Sequence, residues 1–143
     1  MSGIRLATPR DKTRIQELLH QLGYAILEKA LEATLTQVLN HPDALTLVYE
    51  KDQKVVAVLS MHFIPQLALE GAFARISYFV VDEALRDQSI GKEMEAFCHE
   101  EARKRGCNRI EVHCHQRRTA AHRFYETCGY EESPKYYKKS LVN

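Results

Sequence analysis

The stretch from Phe79 to Lys92 carries the residue types of an anion-binding site. An apolar run typical of a buried strand is followed by a polar turn and by the predicted start of a helix near Ile90. The first N–H groups of a helix lack partners within the helix and, together with the helix dipole, favour phosphate. The small residues Ser89 and Gly91 let the backbone come close to such a group. The pattern therefore indicates a phosphate-binding helix start.

Two motifs of the chain resemble those of the GNAT family of N-acetyltransferases. Arg86 to Gly91 match the family's pyrophosphate loop, Arg/Gln-x-x-Gly-x-Gly/Ala, at its first and last positions, and Ser89 replaces the usual first glycine. Residues 121–130, with the sequence A-H-R-F-Y-E-T-C-G-Y, match every fixed position of the second motif, Ala-x-x-Phe-Tyr-x-x-x-Gly-Phe/Tyr. Both motifs lie in the family's order with a predicted strand between them, so the chain is identified as a member over nearly its whole length.

The resemblance implies that a primary amine of a small molecule attacks the thioester of acetyl-CoA directly, without a covalent enzyme intermediate. It implies that backbone amides around Phe79 to Val81 hold the pantetheine arm and polarise the carbonyl. Arg118 stands where many relatives have an asparagine that contacts the cofactor. The implied cofactor-binding residues are Phe79, Val80, Val81, Arg86, Asp87, Gln88, Ser89, Ile90, Gly91, Lys92 and Arg118. We therefore expect an acyltransferase with acetyl-CoA as its co-substrate.

Tyr125 is the candidate proton donor, because the matching tyrosine of the family often has that role. A phenol has a reference pKa of about 10 and is an O–H donor at neutral pH. Tyr125 could therefore protonate the departing thiolate or form a hydrogen bond to its sulfur. Phe124 beside it is expected to be a core aromatic residue.

The sequence leaves the general base open between several residues. Many relatives place a carboxylate on the fourth strand, whereas this chain has Ser77 and Tyr78 there. Glu111, His113 and His115 alternate onto one face of the next predicted strand, and each could accept the proton directly or through a water. The two histidines also invite a zinc interpretation, but no carboxylate or cysteine completes a ligand set at a diagnostic spacing. We expect no metal site.

The acceptor is expected to enter over the first two predicted helices and the loop from Pro65 to Gly71. The residues predicted to line its site are Tyr24, His62, Tyr78 and His113. The stretch R-R-T-A-A-H-R-F-Y is similar to aminoalkylphosphonate N-acetyltransferases within the family, and Arg117, Arg118 and Arg123 could supply charge for a phosphonate. A small-molecule amine is the main expectation. The alternatives are an aminoalkylphosphonate, a peptide or protein amine, and a non-catalytic acyl-CoA sensor.

The elements that position these residues are predicted in the order β-α-α-β-β-β-α-β-α-β, a mixed α/β fold in one domain over 1–143. Helices are predicted from after Thr8 to Gly23 and over 27–40, 90–104 and 119–127. Strands are predicted over 4–7, 45–49, 55–64, 73–81 and 109–115, with a closing strand or pair of strands over 130–141. The resemblance implies a twisted, mostly antiparallel sheet of six to seven strands flanked by about four helices.

Composition excludes several classes of protein. The 143 residues include 20 basic and 19 acidic side chains, and a net charge of +1 gives no field to gather nucleic acid or an anionic membrane. A membrane-length apolar run and a signal-peptide core are both lacking, which favours a cytoplasmic protein. The four cysteines lack C-x-x-C spacing and are expected to be partly buried rather than disulfide-bonded. The resemblance also leaves open a homodimer through the last strands.

Overall fold

The computed structural model describes residues 2–86, 89–114, 118–133 and 136–142. The chain divides into two compact units, Met1–His113 and Cys114–Asn143. The strands of the first unit are β1 (Gly3–Leu6), β2 (Ala44–Lys51), β3 (Lys54–Ile64), β4 (Ala72–Val81) and β5 (Cys107–Val112). Its helices are α1 (Lys12–Leu22), α2 (Glu28–Leu39) and α3 (Ile90–Lys104), and the second unit contains α4 (Thr119–Thr127). None of these described helices is both long and apolar enough to cross a membrane.

The sheet of the first unit has the strand order β1-β2-β3-β4-β5. Strands β1 to β4 pair antiparallel, and β5 pairs parallel with β4 after the crossover through α3. A two-residue turn joins β2 to β3, and its residues Asp52 and Gln53 have positive φ angles of 51° and 66°, as tight hairpin turns of this length require. The predicted mixed α/β fold with a mostly antiparallel sheet is confirmed.

Two apolar layers hold the helices against opposite faces of this sheet. The layer that contains α1 and α2 is built from Ala7, Ile15, Leu18, Leu31, Leu35, Val48, Val55, Val58 and Val80. The layer that contains α3 includes Leu47, Leu59, Met61, Ala74, Ile76, Ile90, Met94, Cys98 and Ala102. Full burial of one large aliphatic side chain is worth about 1.5–3 kcal/mol. Packing therefore fixes both helical layers, and we call the two sides of the sheet the α1/α2 face and the α3 face.

The residues before α1 form a polar cluster around Asp11. Its carboxylate accepts two hydrogen bonds of 2.9 Å from Arg5 and one of 2.8 Å from the backbone N–H of Thr8. Burial alone would raise the pKa of Asp11, but these donors outweigh it and hold the pKa below its ordinary value. At the other end of α1, Gly23 has a φ of 108°, the left-handed conformation that ends many helices. The predicted start after Thr8 and stop at Gly23 are confirmed.

The four cysteines are unbonded, as predicted, and Cys98 on α3 is fully buried. Burial, with the neighbouring carboxylates of Glu95 and Glu101, raises the pKa of Cys98 to about 12. The thiol therefore stays protonated and serves as a small apolar side chain of the core.

Two predictions about strands are wrong. Five strands are described rather than six to seven, and residues 130–133 and 136–142 form no strand. Tyr136, Tyr137 and Leu141 are 60%, 84% and 93% exposed, so these side chains of the alternating pattern are not buried as the inner face of a strand would be. Strand β5 ends at Val112 rather than 115, and Ile110 and Val112 are the last of its side chains to pack in the α3 layer.

Candidate functional site

Strand β4 carries a bulge at Ser77. The residues of β3 opposite Ile76 and Tyr78 are adjacent in sequence, so Ser77 is one extra residue between them. Because side chains along a strand alternate between faces, an extra residue moves all later side chains by one position. Ile76 packs in the α3 layer before the bulge, and Phe79 and Val81 pack there after it. The bulge leaves Ser77 and Tyr78 exposed in the middle of the strand.

Strand β5 ends opposite the residue of β4 that precedes this bulge. Their parallel pairing ends with Ile76 opposite Val112, which is also the last residue of β5. Strand β4 continues through Val81. Its second half, including the predicted cofactor-binding stretch Phe79–Val81, therefore lies beyond the end of β5. Ligands of open α/β sheets commonly bind beyond the carboxyl ends of parallel strands.

Arg14 on α1 anchors the chain where it leaves β4. Its guanidinium donates to Asp82 Oδ2 at 3.0 Å and to the Val55 carbonyl at 2.8 Å. Asp82 also accepts from Ala84 N–H at 3.1 Å, and its own N–H donates to the Val56 carbonyl at 2.8 Å. The Ala84 N–H, and with it Arg14, lowers the pKa of Asp82 against the opposing effect of burial. These contacts fix the point at which the loop toward α3 begins.

Ser89 immediately precedes α3 and has a left-handed backbone with a φ of 64°. A residue with a Cβ adopts this conformation at a cost of about 1–2 kcal/mol, which glycine avoids. Ser89 is exposed and makes no side-chain hydrogen bond to cap the helix. The predicted loop therefore keeps the backbone turn that suits glycine, although a serine occupies it.

The first turn of α3 begins at Ile90, as predicted. Ile90 is buried in the α3 layer and attaches the helix start to the sheet, whereas Lys92 is exposed. Gly91 between them is half-buried. Arg86 is exposed and its Nε lies 3.4 Å from the Val81 carbonyl. The helix N-terminus is thus held in place with two cationic side chains open to solvent nearby in sequence.

Tyr24 and Tyr78, both predicted to line the acceptor site, are in contact. Their ring centroids are 5.3 Å apart with an interplanar angle of 87°, an edge-to-face pair. Tyr24 lies in the loop after α1, where its N–H donates to the Leu19 carbonyl at 2.9 Å. The two residues are 51% and 43% exposed. They form an aromatic wall on the α1/α2 face beside the bulge of β4.

His62 on β3 forms a hydrogen bond with Ser77 at the bulge, with 3.1 Å between Nδ1 and Oγ. Burial, and after it the nearby His41, lowers the pKa of His62. The imidazole is therefore mainly neutral at neutral pH. His62 lies on the same face of the sheet as Tyr78, because each alternates with residues of the α3 layer. The structure thus brings three predicted acceptor residues, Tyr24, His62 and Tyr78, to one face.

Glu111, predicted as a base, is paired with two arginines. Its Oε1 accepts from Arg75 Nη2 at 3.0 Å, and its Oε2 accepts from Arg109 Nε at 2.8 Å. Burial of Glu111 would raise its pKa, but the two guanidiniums outweigh this effect and lower it. A carboxylate stabilised in this way is a weak proton acceptor at neutral pH.

His113 directly follows β5 and is exposed. The prediction that it continues the alternation of Glu111 is wrong, because β5 ends at Val112. The predicted residues that lie outside the described part of the chain are Asp87, Gln88, His115 and Arg117. Among the residues that the structure does describe, no group of three His, Cys, Asp or Glu side chains could hold a metal ion.

The second unit contains Tyr125 and Arg118. Arg118 is the exposed residue before α4, and its carbonyl accepts from His122 N–H at 3.1 Å. Tyr125 on α4 is 9% exposed. Its ring makes edge-to-face contacts with Phe124 and Tyr130, both at 5.3 Å between centroids. Aromatic packing on two sides holds the phenol ring in a defined orientation.

Sequence reasoning missed the bulge at Ser77 and the two arginines Arg14 and Arg75. The bulge shows only once the layers are known, because the β4 residues that pack in the α3 layer, Ala74, Ile76, Phe79 and Val81, are two apart except between Ile76 and Phe79. The arginines have no local signal. Arg14 pairs with a residue 68 positions away and Arg75 with one 36 positions away.

The acetyltransferase (GNAT) family matches residues 12–130 of the chain. The aminoalkylphosphonate N-acetyltransferase of Salmonella typhimurium strain LT2 is 28% identical, over 96% of this chain and 90% of that protein. Among solved structures, a transcriptional regulator from Bacillus halodurans C-125 has a TM-score of 0.90 at 23% identity, covering 99% and 100% of the two chains. A GNAT family acetyltransferase from Staphylococcus aureus has a TM-score of 0.81 at 24% identity, with the same coverage of 99% and 100%.

The high TM-scores of these structures show a shared fold, which is the fold of an acetyltransferase domain. Because the family match spans most of the sequence, the chain belongs to the acetyltransferase (GNAT) family. The resemblance inferred from the two motifs is confirmed, and an acyltransferase is the class of enzyme that the family supports.

Proposed function

We propose that this protein transfers the acetyl group of acetyl-CoA to the primary amine of a small molecule, by direct attack in a ternary complex. The observation that carries the proposal is the second half of β4, which lies beyond the end of β5 and leads toward the N-terminus of α3. An extended thioester ligand could follow the second half of β4 while its diphosphate meets the helix N-terminus. Membership of the family supports the same reaction.

The charges and the helix start of the first unit support coenzyme A binding after β4. The left-handed turn at Ser89 leads into a helix of 15 residues, whose first N–H groups and dipole favour an anion. The exposed side chains of Arg86 and Lys92 add positive charge on either side of this turn. We infer that Phe79–Val81 contact the pantetheine arm and that residues 86–92 hold the diphosphate.

Tyr125 is the proton donor in this proposal. The fixed orientation of its ring between two aromatic neighbours supports that role, because a positioned phenol can transfer a proton without first losing rotational freedom. Its O–H would protonate the sulfur that leaves when the thioester carbon–sulfur bond breaks.

An aminoalkylphosphonate is the acceptor to test first. The Salmonella typhimurium relative is named for that substrate class, and its similarity extends over 96% of this chain. Arg118 and Arg123 in the second unit are exposed, and guanidinium groups recognise phosphonate oxygens well. A small amine without a phosphonate is the alternative, because the aromatic wall of Tyr24 and Tyr78 carries no positive charge that would select a phosphonate.

Calorimetric titration with acetyl-CoA tests the donor site. Replacing Arg86→Glu puts a negative charge beside the diphosphate, and binding should weaken about tenfold or more, since a hydrogen bond to a charged group is worth about 1.5–3 kcal/mol. Arg103→Glu makes the same charge reversal in the last turn of α3 and should leave binding unchanged. Thiol release with aminoethylphosphonate, ethanolamine and β-alanine then tests transfer and ranks the acceptor classes.

Each outcome of this experiment has one meaning. Binding that only Arg86→Glu weakens, followed by turnover of any of the three amines, supports the proposed reaction. Binding without turnover favours a non-catalytic acyl-CoA sensor. If neither wild-type protein nor Arg103→Glu binds acetyl-CoA, the proposed cofactor site is wrong. The loop with Ser89 would then not bind the diphosphate.

A further inference from the structure

Strand β4 offers no carboxylate to remove the ammonium proton of an acceptor. Its sequence, A-F-A-R-I-S-Y-F-V-V, contains no Asp or Glu. Glu111 on the neighbouring strand is held by Arg75 and Arg109 at 3.0 and 2.8 Å, and its pKa is lowered. The polar side chain at the point where β4 leaves β5 is Ser77, at the bulge.

Behind Ser77 lies His62, whose Nδ1 is 3.1 Å from the serine Oγ. This distance is within hydrogen-bond reach for a hydroxyl and the base that activates it. Ser77 is exposed and His62 is half-buried, so the hydroxyl is the member of the pair that an acceptor would meet first. The exposed rings of Tyr24 and Tyr78 lie on the same face of the sheet.

We propose that Ser77 and His62 form a proton relay that deprotonates the acceptor ammonium. The inference rests on the proposed acetyl transfer and adds the base that the sequence left open. With the imidazole proton on Nε2, Ser77 Oγ–H donates to Nδ1 and presents oxygen lone pairs to the ammonium. Ser77 is the extra residue of the bulge and lies exposed beside His62.

The protons balance as follows. One N–H bond of the ammonium breaks, its proton passes to Ser77 Oγ, and the serine proton passes to His62 Nδ1. The amine lone pair then forms the bond to the thioester carbon, the carbon–sulfur bond breaks, and the second amine proton ends on the departing sulfur. The products are the amide and the free thiol, and the imidazolium of His62 returns its proton to solvent.

The surroundings of His62 keep the imidazole ready to accept a proton. The charged and titratable groups around it are Arg75 opposite it on β4 and, in the turn before β2, His41 and Asp43. Burial makes the larger contribution to lowering the pKa of His62, and His41 makes the smaller one. The neutral imidazole therefore persists below the reference value of about 6.5. Rates should fall only as the pH drops through the lowered pKa.

The test is the pH dependence of kcat/KM for acetyl-CoA with the amine that turns over best among aminoethylphosphonate, ethanolamine and β-alanine. The wild type should lose activity on the acidic side below about pH 6.5. His62→Asn keeps a polar atom near the Nδ1 position but cannot titrate, so this acidic limb should disappear and kcat should fall about 10²–10⁴-fold. Ser77→Ala should reduce kcat as well, because the hydroxyl that contacts the amine is missing.

His41→Asn distinguishes a proton-accepting role of His62 from a purely structural one. It removes a group that lowers the pKa of His62, while its side-chain oxygen can still accept the Asp43 N–H that His41 Nδ1 accepts at 3.0 Å. The acidic limb should move to higher pH with the maximal rate unchanged. Nitrogen-15 NMR of the imidazoles, without substrate, should show the same rise in the pKa of His62 in His41→Asn. This measurement does not depend on whether His62→Asn folds.

Three results would overturn the relay. Turnover with an unchanged acidic limb in His62→Asn refutes it while leaving acetyl transfer intact. The relay is also refuted, independently of the His62 variant, if His41→Asn moves neither the acidic limb of the pH profile nor the imidazole resonance of His62. Intact acetyl-CoA binding with no turnover of the amines refutes the proposed function and the relay together.

Discussion

Replacing Ser89→Gly should stabilise the protein, because Ser89 has a φ of 64° immediately before α3. Relief of the left-handed backbone is worth about 1–2 kcal/mol. Glycine in turn loses more chain entropy on folding, which costs about 0.5–1 kcal/mol. Ser89 makes no capping hydrogen bond that the change would remove, and glycine is itself a good residue at a helix start. The net expected gain in the free energy of unfolding is about 0.5–1 kcal/mol.

The assay is thermal unfolding of four proteins, read together with acetyl-CoA affinity. For a domain of this size the gain corresponds to a rise in Tm of about 1–4 °C. Gln53→Gly is a matched control, since Gln53 has a φ of 66° in the β2–β3 turn, far along the chain from the loop before α3. Both glycine variants should gain stability, but only Ser89→Gly should bind acetyl-CoA more tightly. Ser89→Ala keeps the Cβ and should gain nothing.

The reasoning fails if Gln53→Gly raises Tm and Ser89→Gly does not. That result would mean that Ser89 carries no strain of the kind its φ indicates. Equal stabilisation by both variants with unchanged acetyl-CoA affinity would keep the strain argument but contradict the placement of the diphosphate beside Ser89.

Two further predictions concern the carboxylates that hold the ends of elements around the site. Asp82→Asn removes the charge that faces Arg14 at 3.0 Å, so the free energy of unfolding should fall by about 1 kcal/mol. Calorimetry should also show a higher Kd for acetyl-CoA. Glu17→Gln changes the other, more exposed partner of Arg14 and should alter neither quantity. Asp11 has a lowered pKa, so its contribution to stability is complete above the unfolded value of about 3.9 and is lost as the pH falls through the folded value. Denaturant titrations should therefore show a smaller loss of stability below about pH 4 in Asp11→Asn than in the wild type, and an equal loss in both would contradict the assignment.

The helices were predictable from local signals. The bounds of α3 and α4 agree with the prediction, because each begins and ends at residues whose preference is decided within a few positions. The closing strand over 130–141 was not predictable in the same way. An alternating pattern predicts a strand only if one face is buried, and Tyr137, at 84% exposure, is not buried as a residue of such a face would be.

In the candidate site, too, features set by neighbouring residues could be predicted, and contacts between distant segments could not. The helix start at Ile90 could be predicted, because the residues that begin a helix are a local property of the chain. The contact between Tyr24 and Tyr78 depends on how α1 packs on the sheet, so the sequence could nominate both residues for one wall without showing that they touch.

The pair of Ser77 and His62 could not be nominated at all, for a reason that lies in the register of β3 and β4. Without the bulge, the alternation of β4 would put Tyr78 on the side of Ile76, facing the α3 layer, and would leave Ser77 paired in the ladder. In the observed register the Ser77 hydroxyl lies next to an imidazole 15 positions earlier in the chain. A base assembled in this way from two strands has no spacing that a motif could record, which explains why the fourth strand can lack a carboxylate and still offer a proton acceptor.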